Sequence, residues 1–167
     1  NALFNNHRQT LIIMENGTTA MTGHQDLPSI GKNFRGEAPK MPNRKVLEGL
    51  GVTAISEVDA YNQKALKELV EKAVQGEGLQ VIIARHPCML KLTNEQRRKG
   101  VAPLPPVEIT EKCNRLYRCL RNFACPTYQI AKDGSVKVQK ELCIGDLSCL
   151  QICPTTAIRR TPSGGPS

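Results

Sequence analysis

Tryptophan is absent from the 167 residues, and phenylalanine and tyrosine together bring the aromatic share to only 4%. A core must therefore rest on Val, Ile, Leu and Ala, and a single-stranded nucleic-acid platform, which stacks bases on aromatic faces, is not expected. No apolar run approaches the roughly 20 residues of a membrane helix, so neither nucleic acid nor membrane is an expected partner. No secretory or transit segment opens the chain, and seven unsignalled cysteines argue against a secreted disulfide scaffold. The expected compartment is the cytoplasm. An initiator Met is also missing, and the opening NALFNNHRQ reads as the tail of a helix. We therefore expect a C-terminal piece of a longer protein.

Charge is abundant but unpatterned. The formal balance is +8, with the basic residues scattered along the chain. Thiolates and any cluster they hold are net negative, so an acidic electron-transfer partner explains the balance better than nucleic acid does.

The first hundred residues alternate strand and helix signals. TLIIME is a short apolar run ending in Asn16-Gly17, the pattern of a buried parallel strand entering a loop. A short helix, RKVLEGL, stops at Gly51 as a C′ glycine, and TAISEVDAY reads as a strand with its exit. Asn62 can cap the helix NQKALKELVEKAVQ, where Leu66, Leu69, Val70, Ala73 and Val74 share a face. LQVIIA follows as another buried strand, completing the grammar of a parallel α/β sheet. Residues 94 to 106, polar and then proline-rich, predict a linker and a domain boundary near residue 105, giving domains 1–104 and 105–160. Beyond it, VEIT, the hairpin YQIAKDGSVKV and AIRR are short strands around the cysteines, and the end TPSGGPS reads as a disordered tail from 161 to 167.

Six of the seven cysteines fall between Cys113 and Cys153, in two matched halves. The first is Cys113-NRLYR-Cys119-LRNFA-Cys125-Pro126, and the second is Cys143-IGDLS-Cys149-LQI-Cys153-Pro154. The second half would follow the iron-sulfur run C-x2-C-x2-C-x3-C-P but for its second position, and both halves lack a cysteine there, with Leu116 in one and Asp146 in the other. Zinc prefers C-x2-4-C knuckles, and none of the C-x5-C gaps provides one. In two-cluster ferredoxins the cysteine before proline completes the cluster of the other half. That pattern groups Cys113, Cys119 and Cys153 in one site, and Cys125, Cys143, Asp146 and Cys149 in the other. A carboxylate is a harder, weaker iron ligand than a thiolate, so the second site is expected to hold a 4Fe-4S cluster with one labile iron. The first has three cysteines, which favours a 3Fe-4S cluster or a 4Fe-4S cluster with an outside ligand, loss of the cluster being the third option. Residues 107 to 160 resemble the bacterial two-cluster ferredoxin domain, and CIGD resembles archaeal ferredoxins in which aspartate replaces the second cysteine.

The segment ENGTTAMTGHQ is the other informative stretch. Asn16 after a strand, with Gly17 free to turn, can aim a side-chain oxygen and backbone carbonyls at a hard cation such as Mg2+. Taken alone, a capped loop of threonine hydroxyls explains it better. Together with LEGLGV, VDAYN, VIIARHPC and the cysteine module, it resembles the C-terminal part of the large subunit of the indolepyruvate ferredoxin oxidoreductases, thiamine-diphosphate-dependent 2-oxoacid:ferredoxin oxidoreductases. The resemblance implies an α/β thiamine-diphosphate domain followed by a small α+β ferredoxin-like domain. It also implies Mg2+ held by the Asn16 side chain and the Thr18 carbonyl, with Gly17 between them at the cofactor. The implied reaction is oxidative decarboxylation of aryl 2-oxoacids to acyl-coenzyme A, with a smaller β subunit as partner and ferredoxin as electron acceptor. Gly-Asp-Gly, the other half of the thiamine motif, does not occur in the sequence, so this chain by itself is expected to be inactive. His24 could face thiamine or substrate, although loop histidines more often serve structure, and Cys88 reads as a buried structural thiol. The alternative is an electron-transfer module on a non-catalytic α/β scaffold.

Overall fold

In the computed structural model, which describes residues 1–102 and 104–161, the chain forms two compact units, Asn1–Lys91 and Leu92–Ser167. In the first unit, β1 (Gln9–Glu15) leads through a long loop with a small hairpin, β2 (Lys32–Asn33) and β3 (Gly36–Glu37), to α1 (Asn43–Gly49). Then come β4 (Ile55–Asp59), α2 (Gln63–Gln75) and β5 (Leu79–Arg85). The three long strands form a parallel sheet in the order β1, β5, β4.

The middle strand carries the core. Val81, Ile82, Ile83 and Ala84 are each at most 1% exposed, an uninterrupted apolar run of the kind a strand covered on both faces needs. Burying each isoleucine contributes roughly 1.5–3 kcal/mol. Helix α2 packs against all three strands. Its N-terminus is fixed by Asn62, whose Oδ1 accepts the Ala65 N–H at 3.1 Å, and its buried contact is Ala73. Val74, expected on the same face, is 56% exposed. Helix α1 ends as expected, with Leu50 at the C-cap and Gly51 at φ +86°.

Two expectations need correction here. β1 pairs in parallel with β5 throughout, but it is not buried: Leu11, Ile12 and Met14 are 39%, 41% and 66% exposed, because β1 is an edge strand of this sheet. Nor is the stretch from residue 94 wholly a linker, since α3 (Met89–Arg98) runs through its first part. Its apolar residues stop at Leu92, leaving a polar last half that gives no helical stripe to read.

In the second unit, β6 (Val107–Ile109) is followed by the one-turn helix α4 (Arg118–Arg121), β7 (Tyr128–Ile130), β8 (Val136–Val138) and β9 (Ile158–Arg160). β6 pairs antiparallel with β9, and β7 with β8 through the expected turn at Asp133-Gly134. The Asp133 carboxylate accepts both the N–H and the hydroxyl of Ser135, which fixes that turn. A 3-10 helix, Ser148–Ile152, carries Cys149. The core joins Val107, Val136 and Ile158 to Tyr128, Cys119 and Cys149, so thiols occupy places that aliphatic side chains fill in the first unit. The tail expected from residue 161 lies, from residue 162 onward, outside the described residues.

Candidate cofactor sites

The C-terminal ends of the three parallel strands lie side by side, with Glu15, Asp59 and Arg85 in register. Ligands of open parallel sheets bind at this edge. Here Arg85 donates through Nε to Glu15 at 2.9 Å. His86 Nδ1 stands 2.9 Å from Asp59 Oδ1, and the Tyr61 ring stacks on the imidazole with centroids 3.4 Å apart. The Tyr61 N–H, and then His86, hold the Asp59 carboxyl below its ordinary value. In the sequence Asp59 and Tyr61 are no more than the exit of a strand, and no local signal joins His86 to them.

Asn16 leaves the end of β1 at this edge. The His86 N–H donates to the Glu15 carbonyl at 3.2 Å and the Cys88 N–H to the Asn16 carbonyl at 2.9 Å, so the chain after β5 fixes where Asn16 emerges. Gly17, at φ +73°, turns the chain back, and Asn16 Oδ1 accepts the Thr18 N–H at 3.0 Å. Thr18 is 3% exposed. Its hydroxyl donates to the Gln25 carbonyl at 2.9 Å, and the Thr19 N–H donates to the same oxygen at 3.0 Å. Asn16, Gly17 and Thr18 thus form one rigid turn. An amide oxygen has a second lone pair beyond the one Thr18 engages, so the donor chemistry fits a hard cation. His24 is half-buried in the left-handed region at φ +62° and joins none of these hydrogen bonds. Cys88 is only half-buried, a correction to the buried thiol expected from its neighbours.

All seven cysteines are free. Cys119 is buried, and burial first, with the Cys113 and Cys153 thiols adding, pushes its thiol above the ordinary value. A small pocket, open to solvent, is lined by Cys113, Leu116, Cys119 and Cys153 among others. Cys149 is pushed up likewise, first by burial and then by Asp146, Cys125 and Cys143, against a lowering contact from Tyr128. Cys153 behaves oppositely. Burial raises it, but the Thr155 hydroxyl and the N–H groups of Ala157, Thr155 and Ile158 outweigh that and hold it below the ordinary thiol value. The Ala157 N–H stands 3.2 Å from its sulfur.

The loops that present these thiols repeat. Arg115 and Tyr117 have φ of +60° and +54°, and Gly145 and Leu147, at the matching places, have +68° and +63°. Cys125 Sγ lies 3.1 Å from Thr127 Oγ1, and Cys153 Sγ lies 3.5 Å from Thr155 Oγ1. Asp146 is half-buried, and its Oδ1 accepts from the Ser148 hydroxyl at 3.0 Å. Tyr128, which the sequence did not single out, is 4% exposed. Its hydroxyl finds no hydrogen-bond partner among the described residues, a cost of about 1–3 kcal/mol. Burial, and then the Cys149 thiol, push this phenol far above its ordinary range. Six free thiols in repeated loops, and an unpartnered phenol among them, fit soft iron-sulfur ligation. Among the described residues, no three His, Cys, Asp or Glu side chains are set to hold a single metal ion.

A family model described as the thiamine pyrophosphate enzyme C-terminal TPP binding domain matches residues 1–84. The chain belongs to this thiamine family. It is 34% identical over 98% of its length to the indolepyruvate oxidoreductase subunit IorA of Archaeoglobus fulgidus, covering 26% of that protein. The IorA of Methanothermobacter thermautotrophicus is also 34% identical over 98% of the chain, with 26% of the relative covered. That of Methanothermobacter marburgensis is 36% identical over 95%, with 25% covered. The chain thus spans about a quarter of the length of the curated relatives it matches. No solved structure matches. The expected resemblance to the large subunit of indolepyruvate oxidoreductases therefore holds over nearly the whole chain. The thiamine-family match includes the Asn16 turn and ends within β5, leaving the six cysteines from Cys113 to Cys153 to the second unit.

Proposed function

We propose that this chain is the C-terminal part of an oxidoreductase that decarboxylates aryl 2-oxoacids of the indolepyruvate kind to acyl-coenzyme A, with ferredoxin as electron acceptor and a smaller β subunit as partner. One observation supports this above the rest: a thiamine-family strand-end turn and a second unit with six thiols in two repeated loops occur in one chain. Thiamine diphosphate, when bound, supplies the electron sink for decarboxylation, and iron-sulfur clusters supply one-electron storage. The chain's part is to hold them. Asn16 Oδ1 and the Thr18 carbonyl are assigned to Mg2+, with Gly17 letting the backbone come close to the diphosphate. Cys113, Cys119 and Cys153 are assigned to one cluster, and Cys125, Cys143, Asp146 and Cys149 to the other. The buried Thr18 hydroxyl bonds within the turn, which keeps the carbonyls from rearranging.

The test uses the full-length complex under anaerobic conditions, with indolepyruvate, coenzyme A and oxidised ferredoxin. We expect ferredoxin reduction that depends on coenzyme A, and an Asn16→Ala complex that keeps its iron but retains at least tenfold less thiamine diphosphate. Thiamine retention unchanged by Asn16→Ala would remove the turn from the cofactor site. A complex that holds iron but never reduces ferredoxin with any 2-oxoacid would leave only the electron-transfer module.

A further inference from the structure

We propose that the Tyr128 hydroxyl donates a hydrogen bond to the Cys149 sulfur and so makes the two cysteine groups unequal as electron seats. This rests on the cluster reading above. Tyr128 opens β7 and packs in the same core as Cys119 and Cys149. Its O–H is buried and lacks a partner among the described residues. Cys149 is the foremost of the thiols acting on it, followed by Cys125 and Cys119. A hydroxyl rotates freely about its C–O bond, and a charged thiolate is a stronger acceptor than a neutral thiol. The unpartnered donor therefore has an acceptor waiting once Cys149 is a ligand.

The repeat shows why this matters. The threonine hydroxyls beside Cys125 and Cys153 are matched. Tyr128 has no such counterpart. At the corresponding place, three residues after Cys153, Thr156 is exposed and donates its hydroxyl to the Thr155 carbonyl at 2.7 Å. Hydrogen bonds to cluster sulfurs are among the terms that set reduction potentials, and they favour the more negative, reduced state. Tyr128 thus favours electrons on the group formed by Cys125, Cys143, Asp146 and Cys149. It is a positioning residue that acts through Cys149.

The experiment is a redox titration of the full-length complex followed by electron paramagnetic resonance, wild type against Tyr128→Phe, with iron counted in both. The signal that Asp146→Cys alters identifies the cluster in question. In Tyr128→Phe its one-electron equilibrium is expected to shift about tenfold toward the oxidised form, about 59 mV, with iron content and the other cluster unchanged. Should Tyr128→Phe lose iron, 3-fluorotyrosine at position 128 keeps the ring and strengthens the donor, and is expected to shift the same signal the opposite way. Full iron with no shift in either variant, or a shift confined to the other cluster, overturns the proposal alone. A wild-type complex with no iron-sulfur signal overturns the cluster reading and the proposal with it.

Discussion

In the loop from Cys113 to Cys119, Arg115 and Tyr117 take left-handed φ angles, and in the loop from Cys143 to Cys149, Gly145 and Leu147 do the same. What fills the two loops differs. The first exposes Leu116 and Arg115 and borders an open cavity. The second buries Gly145, half-buries Asp146 and packs Cys149 with Tyr128. A shared backbone does not imply a shared environment: one loop packs its cysteine against a buried tyrosine, and the other borders an open pocket.

The largest expected effect comes from breaking the second loop where the first is tolerant. A Cβ at Gly145 would stand 2.6 Å from the Pro105 carbonyl and 2.7 Å from Leu104 Cβ, at a φ of +68°. Gly145→Ala is expected to destabilise the second unit by about 3 kcal/mol or more, through strain and overpacking together. At the matching place Arg115 is exposed and held by one hydrogen bond to the Asp133 carbonyl, so Arg115→Gly should change stability by no more than about 1 kcal/mol, since relief of left-handed strain offsets the lost bond. Urea denaturation of the two variants measures the contrast.

Supplying the missing thiol is the next step. Asp146→Cys is expected to convert a 3Fe-4S signal of the second group to a 4Fe-4S one, and Leu116→Cys to do so for the first, read by electron paramagnetic resonance of oxidised and reduced protein. A smaller effect separates the matched threonines. Thr127 is 4% exposed, and Thr127→Val should cost about 1 kcal/mol as a buried hydroxyl partner is lost. Thr155→Val, half-buried and at a longer distance, should cost less in the same denaturation series.

The smallest effect lies in the first unit and calibrates the rest. The folded-state pKa of Asp59 is depressed, so its contribution is present above the ordinary carboxylate value and is lost as pH falls through that value toward the folded one. Asp59→Asn should therefore lower the melting temperature slightly at neutral pH, and the difference from wild type should shrink as pH falls below the ordinary carboxylate value.

The sequence made the α/β unit readable because its signals are local. The four apolar residues Val81 to Ala84 name the central strand, and Asn62 and Gly51 name helix ends, through bonds that span only a few residues. What escaped was settled by pairing across the chain. The exposure of β1 depends on which strands flank it, and the Asp59–His86–Tyr61 cluster joins the ends of β4 and β5. In the cysteine unit Tyr128 escaped, since nothing in CPTY says that a strand-opening tyrosine turns inward to the core that holds Cys119 and Cys149. The helix α3 was hidden by its own polar half.

The most direct test of the account is iron and sulfide analysis with electron paramagnetic resonance on the anaerobically purified full-length complex. The account predicts iron and inorganic sulfide together, with a 3Fe-4S signal in the oxidised state that Asp146→Cys diminishes. Bound zinc with no iron, and a full titre of free thiols, would contradict it.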